Sequence, residues 1–162
     1  MSERTAAVVT VSDRVSAGTA EDRSGSTAVA LLETIGLAVL EYRVIPDGVE
    51  SVASTLAEIA GTVDLVVTTG GTGLTPRDLT PEGTKAVIER EAPGLAEAMR
   101  SATFGKNPHG MLSRGVAGTA GGTLIVNLPG SVRGVQESLA VILPALEHGI
   151  ELLVRGTSDH NA

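Results

Sequence analysis

DLVVTTGGTGLTPRDLTPE, residues 64–82, decides how the chain reads. Its first part, DLVVTT (64–69), is a short apolar run rich in valine, the pattern of a strand buried on both faces. Its last part, Thr80-Pro81-Glu82, carries the signals of a helix start: Thr as N-cap, Pro at the first helical position and an acid in the first turn. Between them lie Gly70, Gly71 and Gly73, which permit positive φ and close approach of a ligand to the backbone. The hydroxyls of Thr68, Thr69 and Thr72 and the charged pair Arg77-Asp78 accompany them. A connection that only turned the chain would need neither hydroxyls nor charges.

Outward from this stretch two periodicities alternate. AAVVTVS (6–12) is another buried-strand pattern, and SGSTAVALLETI (24–35) has helical spacing and stops at Gly36. LAVLEYRVI (37–45) alternates like a strand up to the turn Pro46-Asp47-Gly48, and VESVASTLAEIAG (49–61) is again helical. Downstream, TKAVIEREA (84–92) reads as the body of the helix begun at Thr80, ending near Pro93, where PGLAEAMRSA (93–102) begins another. KNPHG (106–110) is loop-like, and SRGVAGTAGGTLIVNLP (113–129) reads as two strands around a Gly-rich turn at 119–122. The last helix covers about 132–154, with Pro144 inside it as a break or kink, and GTSDHNA (156–162) is expected to fray.

Strand–helix–strand–helix–strand implies a parallel sheet with crossover helices. With the late hairpin, the expected fold is a three-layer α/β/α domain with a mostly parallel, mixed sheet. No repeat, low-complexity tract or linker interrupts it, so one domain is expected over 1–162, with an ordered core at about 5–155.

The composition excludes several functions. A formal net charge of −7, one Tyr, one Phe and no Trp supply neither the basic cluster for a phosphate backbone nor aromatic platforms for base stacking. Nucleic acid is therefore not the expected partner. A small anion stays open, because backbone amides and a metal can hold it without net positive charge. The absence of cysteine removes disulfides, thiolate metal sites and a cysteine nucleophile. No apolar run approaches the roughly 20 residues of a membrane helix. MSERTAAVVTVSD also lacks a signal-peptide pattern, so a cytoplasmic protein is expected. His109, His148 and His160 lack zinc-ligand spacing, and no Gly-x-Ser-x-Gly elbow is present. Lys106 and Arg114 read either as contacts to an anionic substrate or as solvated surface, and Met99 and Met111 as core filler.

In an open α/β sheet, ligands bind beyond the C-terminal strand ends. The loops leaving three strands here contain Asp13, Asp47 and Asp78, and Pro129-Gly130-Ser131 follows a fourth. The Gly70, Gly71, Thr72 and Gly73 quartet fits a phosphate cradle near a helix N-terminus and a tight strand-to-helix crossover equally well. It is neither a P-loop nor a dinucleotide fingerprint, since no Gly-Lys-Ser/Thr follows and Pro76 stands where a third Gly should be. The aspartates separate the alternatives. A carboxylate beside phosphate is repelled unless a cation lies between, and Mg²⁺ favours carboxylate, water and phosphate oxygens. Asp47 and Asp78 could hold one such ion against a nucleotide. The plainer alternatives are a turn after Pro46 for Asp47, and a pair with Arg77 or a helix cap for Asp78.

Ser12-Asp13-Arg14, Ile45-Pro46-Asp47, TTGGTGLTPRDLTPE (68–82), PGLAEAMR (93–100), MLSRGVAG (111–118) and LIVNLPGS (124–131) together resemble the molybdopterin adenylyltransferase family of molybdenum-cofactor biosynthesis. That family includes the corresponding domains of gephyrin and its plant counterpart. The resemblance spans roughly residues 5–155 with the motifs in the same order. It implies a three-layer α/β fold, usually assembled as a homotrimer. It implies Mg²⁺-dependent transfer of AMP from ATP to the phosphate of molybdopterin, with release of pyrophosphate. The product would then pass to a metal-insertion enzyme. The family's two essential acids fall on Asp47 and Asp78, which would be catalytic and metal-holding. Gly70, Gly71, Thr72 and Gly73 match its nucleotide and pterin loop, with Ser12, Asp13 and Thr69 beside it. Pro129 and Gly130 match its second ligand loop, and Ser113 matches a serine next to the pterin. Several relatives continue that second loop with Asn or Gln and then Pro, whereas this chain has Ser131-Val132. The alternative the resemblance leaves is a non-catalytic molybdopterin-binding or assembly paralogue.

Overall fold

A computed structural model describes residues 3–156. The chain runs β1 (Thr5–Val11), α1 (Asp13–Ser16), α2 (Arg23–Thr34), β2 (Ala38–Ile45), α3 (Val49–Ile59) and β3 (Leu65–Thr69). It continues through α4 (Thr80–Lys85), β4 (Arg90–Glu91), α5 (Pro93–Ser101), a 3₁₀ turn (Pro108–Leu112), β5 (Ala117–Ala120), β6 (Thr123–Leu128) and α6 (Val132–Arg155). The strands form one six-stranded sheet in the order β2-β1-β3-β6-β5-β4. β2, β1, β3 and β6 are parallel, and β5 and β4 join antiparallel at the far edge. The mixed α/β sheet is the architecture expected.

The continuous apolar runs are explained by the two faces of the sheet. Ala6 and Val8 of β1, Leu65 and Val67 of β3, and Leu124 and Val126 of β6 pack with α2, α5 and α6 on one side. Ala7, Val9 and Val11, Val66 and Ile125 pack with Val52, Leu56 and Ile59 of α3 on the other. α6 supplies Val135, Leu139, Ile142, Leu146 and Ile150 at helical spacing, all buried. Between β5 and β6, Gly121 and Gly122 take φ of 57° and 84°, the left-handed pair that a two-residue hairpin loop requires.

Three expectations are corrected here. The helix begun at Thr80 ends at Lys85, and Arg90–Glu91 is an edge strand paired with Thr119 and Gly118. The good helix formers of TKAVIEREA are overridden by this pairing. It is possible because Gly118 has no side chain: a Cβ there would lie 2.4 Å from Ile88 Cγ2 and 2.5 Å from the Arg90 carbonyl oxygen. Secondly, α6 runs through Pro144 without a break in the helix. Thirdly, Met111 is 58 % exposed, whereas Met99 is buried as expected. The expected fray of 156–162, and His160 with it, lies outside the described residues except for Gly156.

Candidate functional site

The C-terminal ends of β1, β2, β3 and β6 converge on two clefts that share the 70–73 loop as a wall. The first, about 480 Å³, is lined by Ser12, Asp47, Thr69, Gly70, Gly71, Asp78 and Gly130, with Thr10, Asp22 and Ser24 at its inner end. The second, also about 480 Å³, is lined by Thr72, Gly73, Ser113, Pro129 and Ser131, by Arg100, His109 and Glu137 from α5, the 3₁₀ turn and α6, and by Lys106 between the first two. The loop thus presents Gly70 and Gly71 to an acid-lined cleft and Thr72 and Gly73 to a more apolar one. Pro129, Gly130 and Ser131 divide in the same way.

Local geometry explains why glycine occupies this wall. Gly70 has φ +90°, and a Cβ on it would lie 2.3 Å from the Val11 carbonyl oxygen. Gly71 has φ +67°, and its Cβ would lie 2.2 Å from Thr80 Oγ1 and 3.1 Å from Asp47 Oδ1. Among the described residues, the N–H groups of Gly71, Thr72 and Gly73 donate to no protein acceptor, while the Gly70 N–H donates to the Leu128 carbonyl. The three free amides are the donor-rich backbone that a phosphate needs.

Thr80 does not cap its helix. Its hydroxyl donates to the Gly70 carbonyl at 2.9 Å and its N–H to the Gly71 carbonyl at 3.1 Å, so the residue is fully buried and closes the loop on itself. The helix terminus expected to face an anion is therefore blocked. The starts of α2 and α6 stand at the clefts instead, capped by Asp22 and Ser131. The hydroxyl of Thr68 is also turned inward, accepting from Asn127 Nδ2 at 3.0 Å.

Each acid is held in a different way. Asp47 Oδ2 accepts the Asp13 N–H at 2.9 Å, and Asp13 Oδ1 accepts the Asp47 N–H at 3.0 Å. Arg77 closes this pair with two bonds to the Asp13 carboxylate, at 2.9 and 3.1 Å, and one to the Asp47 carbonyl at 2.9 Å. The Arg77 guanidinium holds the Asp13 carboxyl below the usual carboxylate range, partial burial opposing it and the Asp47 N–H adding to it. Asp13 thus braces Asp47: each of its carboxylate oxygens accepts from Arg77, Oδ1 also from the Asp47 N–H, and the residue is not among those lining the two clefts. Asp78 Oδ2 accepts the Thr75 N–H at 2.9 Å, closing a turn, and does not pair with Arg77. Asp47 Oδ1 and Asp78 Oδ1 meet no hydrogen-bond donor among the described residues. The site therefore offers two carboxylate oxygens in one cleft, and among the described residues no third acid or histidine joins them in a metal-holding group.

A polar network at the inner end of the acid-lined cleft gave no sequence signal beyond the Asp-x-Ser-Gly spacing of Asp22, Ser24 and Gly25. Ser24 Oγ and Thr69 Oγ1 share a hydrogen bond of 2.9 Å, and the Tyr42 hydroxyl donates to Asp22 Oδ2. Gly25 makes room for it, because a Cβ there would lie 2.1 Å from Thr10 Oγ1 and 2.8 Å from the Tyr42 oxygen. Burial, with the neighbouring Asp22 carboxylate, pushes the Tyr42 hydroxyl up to about 12. Neutral Tyr42 thus favours the fold fully below its ordinary value of 10.0, and that contribution is lost as pH rises from there through about 12. Tyr42 is the only tyrosine and there is no tryptophan, so tyrosinate absorbance reads this group alone. The native protein is expected to titrate near 12, and Asp22→Asn to bring the midpoint down. A native midpoint at 10.0 would contradict the network.

With this geometry in view, comparison with known proteins is decisive. The family model described as "Probable molybdopterin binding domain" matches residues 7–148. The chain belongs to this family. It is 41% identical over 157 residues to gephyrin of Dictyostelium discoideum, covering 90% of this chain and 22% of that much longer protein. It is 38% identical over 151 residues to molybdopterin adenylyltransferase of Helicobacter pylori strain J99, covering 91% of this chain and 86% of the relative. The crystal structure of the molybdopterin biosynthesis enzyme MoaB from Thermus thermophilus superposes with a TM-score of 0.89 at 42% identity, over 94% of this chain and 97% of that one. Among the described residues no helix is long and apolar enough to cross a membrane.

Proposed function

We propose that this chain is a molybdopterin adenylyltransferase, transferring AMP from ATP to the phosphate of molybdopterin and releasing pyrophosphate. The observation that carries the reading is the pair of clefts meeting at one amide-rich loop, with Asp47 and Asp78 both on the wall of one of them. Two substrates joined through phosphate need such a meeting point.

In this reading ATP lies in the acid-lined cleft and the pterin in the apolar one, beside Ser113 and Ser131, with Ser12, Thr69 and Gly130 contacting the nucleotide. A phosphate oxygen of molybdopterin bonds to the α-phosphorus, the bond from that phosphorus to the pyrophosphate oxygen breaks, and pyrophosphate leaves. The attacking oxygen is already ionised, so no strong base is required. Positioning and charge compensation are what remain for the protein. The N–H groups of Gly71, Thr72 and Gly73 are available to phosphate oxygens, and Asp13 with Arg77 keeps Asp47 in place. The free Oδ1 atoms of Asp47 and Asp78 suit Mg²⁺, which takes one or two carboxylates and completes its shell with water and phosphate. Bound there, Mg²⁺ would supply the positive charge that lets two carboxylates face a triphosphate.

The reading further takes the chain as a single cytoplasmic domain that assembles as a homotrimer and hands its product to a metal-insertion enzyme. The exposed Phe104, Met111 and Leu112 on one side and Leu40 and Val44 on the open edge of β2 support assembly. Light scattering that returned a monomer at micromolar concentration would remove the trimer. The function itself is tested by mixing the protein with ATP, Mg²⁺ and molybdopterin and measuring pyrophosphate. Release that requires molybdopterin supports the transferase. Molybdopterin binding without release leaves a non-catalytic paralogue, and turnover of nucleotide without pterin leaves a different enzyme.

A further inference from the structure

The 72–78 segment is gripped from behind by Arg114, a side chain that lines neither cleft. Its own N–H donates to the Thr72 carbonyl at 2.8 Å, and Nε donates to the Gly73 carbonyl at 2.8 Å. Nη2 donates to the Asp78 carbonyl, and Nη1 pairs with the Glu82 carboxylate. One guanidinium therefore joins the start of the segment to its end. The root of this clamp is fixed too, since Arg100 Nη1 donates to the carbonyls of Ser113 and Gly115, at 3.3 and 2.8 Å, on either side of Arg114.

The contacts select arginine over a generic cation. A guanidinium is a rigid planar fork whose donors keep fixed directions, whereas an ammonium is a point charge on a flexible stem. Lysine could keep the pair with Glu82 but could not reach both carbonyls at that spacing. The ion pair is a weak reason for the residue to be there: the two side chains are 34% and 42% exposed, and such pairs contribute roughly 0–1 kcal/mol. What Arg114 does that its charge does not explain is to set where Asp78 stands.

We propose that Arg114 is a positioning residue that fixes the 72–78 segment and, through it, the Asp78 carboxylate against the nucleotide phosphates. The proposal rests on the adenylyl-transfer reading for its catalytic consequence, and on geometry alone for its mechanical one. Wild type, Arg114→Lys and Glu82→Gln separate the two. In Arg114→Lys, amide hydrogen exchange over 71–80 accelerates at least about tenfold, because a local opening is no longer opposed by the two carbonyl bonds. The affinity for Mg·ATP measured by calorimetry weakens, and kcat for adenylyl transfer falls about 10–100-fold, as for other residues that orient a metal ligand. KM for molybdopterin changes little. Glu82→Gln, which keeps an acceptor for Nη1, resembles wild type in all these readouts. If Arg114→Lys does not fold, Arg114→Gln carries the same expectations.

Wild-type exchange and kcat in Arg114→Lys would overturn the proposal. So would a Glu82→Gln variant as impaired as Arg114→Lys, since the ion pair would then be the whole effect. If the wild type itself releases no pyrophosphate, the functional reading fails while the exchange contrast still decides whether Arg114 holds the segment.

Discussion

Asp78→Asn is expected to lower kcat for adenylyl transfer on the order of 10³-fold, the scale on which a single charge-stabilising group acts in phosphoryl transfer. The substitution isolates chemistry from folding. Asp78 Oδ2 accepts the Thr75 N–H, and an asparagine amide oxygen can accept the same bond, so the turn survives. The Arg114 contact is to the Asp78 carbonyl and is indifferent to the side chain. What disappears is the negative charge beside Asp47 in the acid-lined cleft. A cation held as proposed between phosphates and two carboxylates would lose one of them, so the concentration of Mg²⁺ needed for half-maximal rate should rise together with the loss in kcat. Steady-state rates across a Mg²⁺ series check both. An unchanged thermal midpoint shows that the loss is not unfolding. Retention of rate within about threefold would remove Asp78 from the chemistry, because a change that small is under 1 kcal/mol of barrier.

Gly70→Ala is expected to be the most damaging small substitution for stability. Two independent costs coincide there. The residue has φ +90°, where a side chain is strained by about 1–3 kcal/mol. Its Cβ would also stand 2.3 Å from the carbonyl oxygen of Val11, a backbone atom of a central strand that cannot rotate away. Overpacking of this kind costs a further ~1–3 kcal/mol. Their sum, roughly 2–6 kcal/mol, is a large share of the 5–15 kcal/mol that holds a domain folded. Gly94→Ala is the control: it lies in the first turn of α5 with nothing within 4 Å of the added carbon. That change should be neutral or slightly stabilising. Urea denaturation of the two variants gives the comparison, and equal midpoints would contradict the packing described around Val11.

What could be read from the sequence follows the range of the interactions. β1, β3 and β6 are legible because burial on two faces leaves an unbroken apolar run, as in Ala6, Ala7, Val8 and Val9. The hairpin is legible because only Gly121 and Gly122 suit its turn. The short α4 and the edge strand β4 are not, because a helical local pattern is overruled by pairing with residues 117–119, which no local signal announces. The site divides along the same line. Asp47, Asp78, Gly70 and Gly71 lie in loops that follow strand ends, where α/β topology collects ligand loops, and they line one cleft. Arg77 reaches Asp13 across 64 residues and Arg114 reaches Gly73 across 41, so neither brace leaves a spacing to find. Asp13 shows what residue type leaves out: that its carboxylate binds Arg77 and the Asp47 N–H is visible only once the loops are brought together.

The central claim, that two clefts meeting at 70–73 join a nucleotide to a pterin phosphate, is tested most directly by product mass. Purified protein, ATP, Mg²⁺ and molybdopterin are combined, and the pterin fraction is analysed by mass spectrometry alongside released pyrophosphate. The account predicts adenylyl-molybdopterin and pyrophosphate in equal amounts with wild type, and neither with Asp78→Asn over the same interval. Pyrophosphate without adenylylated pterin, or equal product from both proteins, would contradict it.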